Sequence, residues 1–186
     1  MIVLVCIAVG AILRVLTGRS FRDLATVRLR GETLLLILLA SQAALPLVQL
    51  TGVAGRIAFF VWLATFPCMV GIAWLNRSEP GMPVLGVGLL LNLAVIAVNE
   101  GMPVFEVALQ TAKSLMPTLA IPAGDFVHVV GSSSTFLPWL GDVVPIAGPS
   151  WLRVVVSPGD LLLFAGIITL VATLGSSRAR ESRRGQ

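Results

Sequence analysis

The chain has 186 residues, of which 56% are hydrophobic and 12% are charged, and its mean hydropathy is +0.96. Soluble domains carry about 25% charged residues, so a soluble fold of this length could not hide so much apolar surface from water. This composition excludes an ordinary soluble domain and indicates that the chain sits in lipid.

Five apolar segments reach or approach the roughly 17–25 residues that a membrane-spanning helix needs. The sequence therefore predicts an all-α integral membrane protein with five transmembrane helices. Residues 1–175 would form one membrane domain and residues 176–186 a disordered basic tail. No basic leader precedes the first apolar residues, so we expect the first span to remain in the mature protein. The predicted spans are about 1–17, 32–50, 54–75, 84–99 and 160–175.

Arginine and lysine residues determine the predicted orientation, because positively charged loops are retained on the cytoplasmic side. With five spans, ten of the 13 basic residues share one side: five at or after the first span, one after the third and four in the tail. Only Arg56, Lys113 and Arg153 remain for the other side. We therefore expect the N-terminus outside and the C-terminus inside, with anionic lipid headgroups near the cytoplasmic arginines. This topology explains the pI of about 10.5 without a nucleic-acid partner.

Segment 100–159 is the long loop on the outer side, and we call it the cap. Pro103 can occupy the first position of a helix, and apolar residues then recur at helical spacing from Phe105 to Met116. Residues 117–159 are rich in Pro, Gly and Ser but remain apolar. Irregular backbone of this kind cannot face lipid, so we expect an amphipathic helix followed by an irregular lid on the outer helix ends.

Two spans carry pairs of amide side chains at a spacing that puts both members nearly on one helix face. The pairs are Gln42 with Gln49 in the second span and Asn92 with Asn99 in the fourth. Such amides either hydrogen-bond a neighbouring helix or line a polar pocket.

Four ionisable residues of the cap region could carry chemistry. His128, the single histidine, follows Asp125 by three residues and could carry a proton, bind a ligand or simply pack with a hydrogen bond. Asp142 reads as a turn residue, and Asp160 lies three residues after Ser157 in the arrangement of a helix capping box. A zinc site would need His128 with both Asp125 and Asp142, which the pattern does not favour, so no metal and no cofactor are predicted.

We group the polar residues of this region as one predicted pocket at the outer face. Its members are Asn92, Asn99, Asp125, His128, Asp142 and Asp160.

The order of these features resembles a group of small bacterial polytopic membrane proteins known as a domain of unknown function. The resemblance covers most of the chain, although Glu100 stands where that family is expected to have a second glycine. It implies a multi-pass protein of the bacterial cytoplasmic (inner) membrane with a shared outer polar site, and it implies no activity. The motifs that carry it are Gly18-Arg19 with Leu24, Gln42, Asn99 before Gly101-Met102-Pro103, His128, Leu140-Gly141-Asp142-Val143-Val144-Pro145 and Ser157-Pro158-Gly159-Asp160.

The chain is also similar, more weakly, to lipoprotein signal peptidases. Those enzymes activate water with two aspartates about twenty residues apart near the outer membrane face. Asp142 and Asp160 have a similar separation, and Asp160 opens the last predicted span. The departures are the missing Gly-Asn-x-x-Asp-Arg context around Asp142, the missing Asn-x-Ala-Asp before the last helix, and five spans in place of four.

Three hypotheses for the function follow. The leading one is a non-enzymatic membrane protein whose outer pocket binds a lipid headgroup, a small solute or a partner protein. The second is an aspartyl hydrolase, which requires the Asp142 and Asp160 carboxylates within about 3–5 Å of each other and not occupied by capping N–H groups. The third is an oligomeric channel or transporter component with a pore lined by Asn92, Gln42 or Gln49.

Overall fold

The computed structural model describes residues 2–48, 50–108, 111, 125–146, 149 and 154–175. Within these ranges the chain is mostly helical, as predicted. The helices are α1 (Ile2–Leu16), α2 (Arg22–Thr26), α3 (Glu32–Ala44), α4 (Gly52–Leu75), α5 (Met82–Asn99) and α6 (Pro158–Thr173), with 3-10 turns at Leu45–Leu47 and Pro138–Leu140. The predicted basic tail and most of the predicted amphipathic helix lie outside the described residues; residues 106–108 and 111 are helical.

Two of these helices, α4 with 24 residues and α5 with 18, are long and apolar enough to cross a membrane. At 1.5 Å per residue they extend about 36 and 27 Å, which matches the hydrocarbon thickness of about 30 Å. The helices α1, α3 and α6 are apolar but shorter. The structure therefore supports two candidate spans, and crossing by the other three helices stays a prediction.

Glycines let α5 and α6 pack in opposite directions with their backbones close together. A Cβ atom at Gly81, just before α5, would lie 2.6 Å from the carbonyl oxygen of Gly166. A Cβ atom at Gly88 would lie 2.7 Å from the carbonyl oxygen of Gly159, near the start of α6. The start of α5 therefore lies beside the end of α6, and the end of α5 lies beside the start of α6.

Buried Arg14 joins the ends of α1 and α6. Its guanidinium donates hydrogen bonds to the carbonyl oxygens of Val171 (3.2 Å) and Leu174 (2.9 Å), which lie in the last turn of α6 and just beyond. It also donates to the carbonyl oxygen of Ser20 and lies 3.8 Å from the carboxylate of Asp23. These bonds satisfy helix-end carbonyls that otherwise have no partner.

Asn76, which follows α4, makes a similar junction with the start of α3. Its side chain accepts a hydrogen bond from the Arg30 N–H (2.8 Å) and donates one to the Arg30 carbonyl (2.9 Å). The ends of α1, α4 and α6 and the starts of α3 and α5 therefore lie at the same end of the molecule. We call this the basic end, defined by Arg14, Arg19, Arg28, Arg30 and Arg77.

The cap covers the opposite end and contains short strands. Strand β1 (Met102–Val104) pairs in parallel with β2 (His128–Val130), and β3 (Val144–Ile146) pairs antiparallel with β4 (Val154–Val156). The predictions of a wholly α fold and of an irregular cap are wrong at these strands. Pro103, predicted to begin a helix, lies in β1, where its carbonyl accepts the Asp142 N–H at 2.8 Å. Proline has no backbone N–H to donate, and a short strand at a sheet edge tolerates this loss.

The cap is attached to the helices through a shared apolar core. Met102, Val127 and Leu140 of the cap belong to the same buried cluster as residues of α3, α4 and α5. The outer faces of α1 and α3 remain apolar and exposed, for example at Leu4, Leu16 and Leu36. The core members contributed by the helices are Leu38, Phe59, Trp62, Phe66, Met69, Ile72, Leu89, Val95 and Ile96.

Candidate functional site

Asp160 belongs to a closed hydrogen-bond network at the start of α6. The Ser157 hydroxyl accepts the Asp160 N–H at 3.0 Å, and Asp160 Oδ2 accepts the Ser157 N–H at 3.2 Å, so the predicted capping box is confirmed. Asn92 Nδ2 donates to Asp160 Oδ1 at 2.7 Å, and the Ser157 hydroxyl donates to Asn92 Oδ1 at 2.9 Å. Asn92, which is 4% exposed, thus connects α5 to α6. We call Asn92, Ser157 and Asp160 the helix junction.

Asn99 has different partners from Asn92. Its side chain accepts the Phe136 N–H at 2.9 Å and donates to the carbonyls of Phe136 (2.9 Å) and Val95 (2.8 Å). Because both atoms of its amide are used to hold cap backbone, Asn99 fastens the cap to the end of α5. The structure therefore does not bring the two asparagines into one pocket.

His128 lies between two aspartates. Its Nδ1 is 2.7 Å from Asp125 Oδ2, and its Nε2 is 3.9 Å from Asp142 Oδ2. Asp125 Oδ1 also accepts the backbone N–H groups of Val127 and His128, which fixes the orientation of this carboxylate. A carboxylate held against Nδ1 keeps a proton on that nitrogen and leaves Nε2 facing Asp142.

Asp142 is buried in a setting that disfavours its negative charge. Its side chain is 9% exposed, and its Oδ1 atom has no hydrogen-bond partner among the described residues. Burial, and secondly the negative charge of Asp160, raises the pKa of Asp142 to about 8. At neutral pH this carboxyl group is therefore mostly protonated.

The same geometry argues against a shared metal ion at Asp125, His128 and Asp142. The two carboxylates face opposite nitrogens of the imidazole ring, so one ion cannot bind one ring nitrogen and reach both. In the part of the chain that is described, no group of three or more His, Cys, Asp or Glu side chains could hold a metal ion.

The hydrolase hypothesis gains no support from the two aspartates. Both oxygens of Asp160 accept hydrogen bonds from the helix junction, one of them from a capping N–H, which is the occupied state that the hydrolase hypothesis has to avoid. Asp142 is buried and does not line the cavity beside His128.

The amide residues proposed for a pore are likewise bonded within the chain. Gln42 Nε2 hydrogen-bonds the Thr65 hydroxyl and the Trp62 carbonyl of α4, and both the nitrogen and the oxygen of the Asn92 amide are bonded in the helix junction. Gln49 lies outside the described residues. The channel hypothesis therefore gains no support from the described polar side chains.

A cavity of about 180 Å³ opens beside His128, between the first turns of α4 and the cap. Two of the six predicted pocket residues, Asp125 and His128, line it. It also contains two charged residues that were not predicted for the site, Arg56 and Glu100, neither of which makes a salt bridge with a described residue. Its lining is Gly55, Arg56, Phe59, Phe60, Glu100, Asp125, Phe126, His128 and Val129.

Glu100 has an unusual backbone conformation at this cavity. It follows α5 with a φ of 54°, in the left-handed region that favours glycine. A glutamate there costs about 1 kcal/mol or more, and such strain is concentrated at functional sites. The one signal in the sequence that could have marked Glu100 is that it stands where the resembling family is expected to have a glycine.

Comparisons with known proteins give a family but no activity. The sequence profile of DUF5317, a family of unknown function, matches residues 26–172. An uncharacterised protein of Thermotoga maritima is 30% identical over 126 residues, which cover 67% of this chain. The match spans 62% of that relative's length. No solved structure matches the chain.

Proposed function

Since the chain belongs to DUF5317, a family of unknown function, we propose its role from its own geometry: it is a multi-pass membrane protein that binds phospholipid headgroups at its outer face. The observation that carries this proposal is the cavity in which Arg56 and Glu100, both without an ion pair among the described residues, face the same space as exposed Phe60.

The membrane topology is the first part of the proposal. Five helices that alternate in direction put the basic end on one side and the cap on the other. With arginines retained in the cytoplasm, the N-terminus and the cap lie outside and the chain crosses the inner membrane of a bacterium five times. The exposed arginines of the basic end, such as Arg28, then lie where anionic headgroups are found.

Charge at the cavity favours a phosphate group. Arg56 lies in the second turn of α4, near the positive end of the helix dipole, and Thr51 gives that helix no side-chain cap. A bound anion would offset the positive charge of Arg56 beside the positive end of the helix. A guanidinium binds phosphate through two parallel hydrogen bonds. Glu100 and Asp125 on the same cavity suit an ammonium group. Phosphate with ammonium is the chemistry of a phosphatidylethanolamine headgroup.

Size and surroundings favour a lipid over a free solute. A volume of 180 Å³ is below the roughly 300–1,000 Å³ of a site for a drug-sized molecule, so it suits a headgroup whose chains lie outside. Phe60 is 57% exposed beside the cavity, where acyl chains would cover it.

Replacing Arg56 by glutamine is expected to reduce phospholipid binding about tenfold, because one charge-assisted contact to phosphate is lost. Glu100→Gln should keep binding but lose the preference for phosphatidylethanolamine over phosphatidylglycerol. Native mass spectrometry of the protein in detergent with equal amounts of both lipids would measure the bound fractions.

Arg28→Gln, at the exposed basic end, is the matched control: it removes the same charge and should leave phosphatidylethanolamine binding unchanged, with a loss confined to anionic phosphatidylglycerol. Equal binding of phosphatidylethanolamine by the Arg56 and Arg28 variants would contradict the proposal. Binding of soluble glycerophosphoethanolamine as tight as that of the lipid would also contradict it, since the ligand would then be a free solute.

A further inference from the structure

We infer that Asp142 is a buried proton-binding site, that His128 is its route to the cavity, and that its proton is coupled to what the cavity holds. The coupling to ligand rests on the proposed function, whereas the proton site stands on the geometry of three side chains.

One strand holds both partners. Met102 of β1 pairs with His128 of β2, and Val104 of the same strand forms a bridge with Asp142. The Asp142 N–H also donates to the Pro103 carbonyl at 2.8 Å. β1 therefore holds both backbones side by side, with His128 Nε2 and Asp142 Oδ2 3.9 Å apart.

Asp142 has the surroundings of a carboxyl group that binds a proton. An ionised carboxylate buried with one unbonded oxygen is costly, and the group becomes neutral instead. The charged and titratable groups facing it are His128 from β2 and Asp160 from α6, with Asp125 behind the imidazole. The raised pKa of Asp142 agrees with this arrangement.

The transfer moves one proton and leaves the total charge unchanged. The imidazolium of His128 gives its Nε2 proton to the Asp142 carboxylate, so the N–H bond breaks and an O–H bond forms. The product is a neutral imidazole, whose remaining proton on Nδ1 is held by Asp125. A distance of 3.9 Å is too long for a hydrogen bond, so a small ring rotation or one bridging water completes the path. Water in the cavity then returns a proton to the imidazole.

The cavity supplies the coupling to ligand. His128 is 37% exposed and lines the cavity together with Arg56 and Glu100. A phosphate bound near His128 favours its charged form, whereas an ammonium group disfavours it. Occupation of the cavity therefore changes the protonation of Asp142 through the imidazole.

Infrared spectroscopy of the full-length protein tests the proton site directly. At pH 6 the unaltered protein should have a protonated-carboxyl band that is absent in Asp142→Asn and disappears with a midpoint near pH 8. Transfer into D₂O should shift this band quickly in the unaltered protein and at least about tenfold more slowly in His128→Gln, because glutamine cannot relay a proton. Ser133→Gln, on an exposed turn of the cap, is the control and should exchange at the original rate.

The outcomes separate the proton site from the proposed function. Equal exchange rates in the unaltered protein and His128→Gln, or a band that Asp142→Asn retains, would overturn the relay. A band midpoint that moves with sodium concentration would overturn it too, because the site would then bind a metal cation. Slow exchange in His128→Gln, together with a band in the unaltered protein that does not respond to added phosphatidylethanolamine, would keep the relay and contradict only the headgroup proposal.

Discussion

Replacing Asn92 by leucine is expected to lower the free energy of unfolding by about 2–4 kcal/mol, the cost of leaving two polar groups of the helix junction without their partners. Leucine has a similar volume but leaves Asp160 Oδ1 without its donor and the Ser157 hydroxyl without its acceptor. The leucine side chain would also contact Gly159. Gly159 packs so closely on Asn92 that even a Cβ atom added at Gly159 would collide with the Asn92 side chain. The packing of α5 on α6 depends on this contact.

Unfolding in mixed micelles by increasing sodium dodecyl sulfate, followed by circular dichroism, would measure the change. Asn99→Leu is the matched control, because it makes the same substitution on the same helix at a less buried place. We expect its loss of stability to be smaller and its effect to be confined to the cap. An Asn92 variant no less stable than the Asn99 variant would refute the structural role of the helix junction.

Asp142→Asn is expected to make the protein more stable at alkaline pH. The pKa of Asp142 is raised to about 8 in the folded protein, from about 3.9 in an unfolded chain. Between these values the folded state binds an extra proton, so stability decreases as pH rises through this window. One group accounts for at most about 1.4 kcal/mol per pH unit. Asparagine cannot ionise and removes this dependence.

Thermal unfolding midpoints of the detergent-solubilised protein between pH 5 and pH 9 would measure the effect. When the unfolding midpoint is plotted against pH, the curve of Asp142→Asn should cross that of the unaltered protein and lie above it at pH 9. Glu32→Gln, which changes an exposed acid and leaves Asp142 in place, is the control, and its unfolding midpoint should keep the decline toward alkaline pH. If the midpoint of Asp142→Asn declines in the same way, the Asp142 carboxyl group is already ionised at neutral pH.

Local features of the fold could be predicted from the sequence. The capping box at Ser157 and Asp160 depends on a spacing of three residues and is visible without tertiary information. The fourth span, predicted for about residues 84–99, is a helix, and α5 starts at Met82 within the motif Gly81-Met82-Pro83. The role of Asn92 in joining helices was one of the two predicted for an amide within a span.

Features that depend on distant contacts could not be predicted. The four strands found among the described residues have three residues each, which is too short for an alternating pattern to be visible. The sequence Gly101-Met102-Pro103 repeats the motif that starts α5, yet it starts β1 because the cap core buries it. Nothing local indicates that Arg56 and Glu100 line one cavity, because α4 and the end of α5 meet only in the fold.

The central claim is that the cap and the basic end lie on opposite sides of a membrane. Single cysteines at Ser133 in the cap and at Ser78 near the basic end, both exposed, would test it after Cys6 and Cys68 are replaced by alanine. We expect a membrane-impermeant maleimide added to intact spheroplasts to label Ser133→Cys at once and Ser78→Cys only after permeabilisation. Labelling of Ser78→Cys in intact spheroplasts, or labelling of Ser133→Cys only after permeabilisation, would contradict the account.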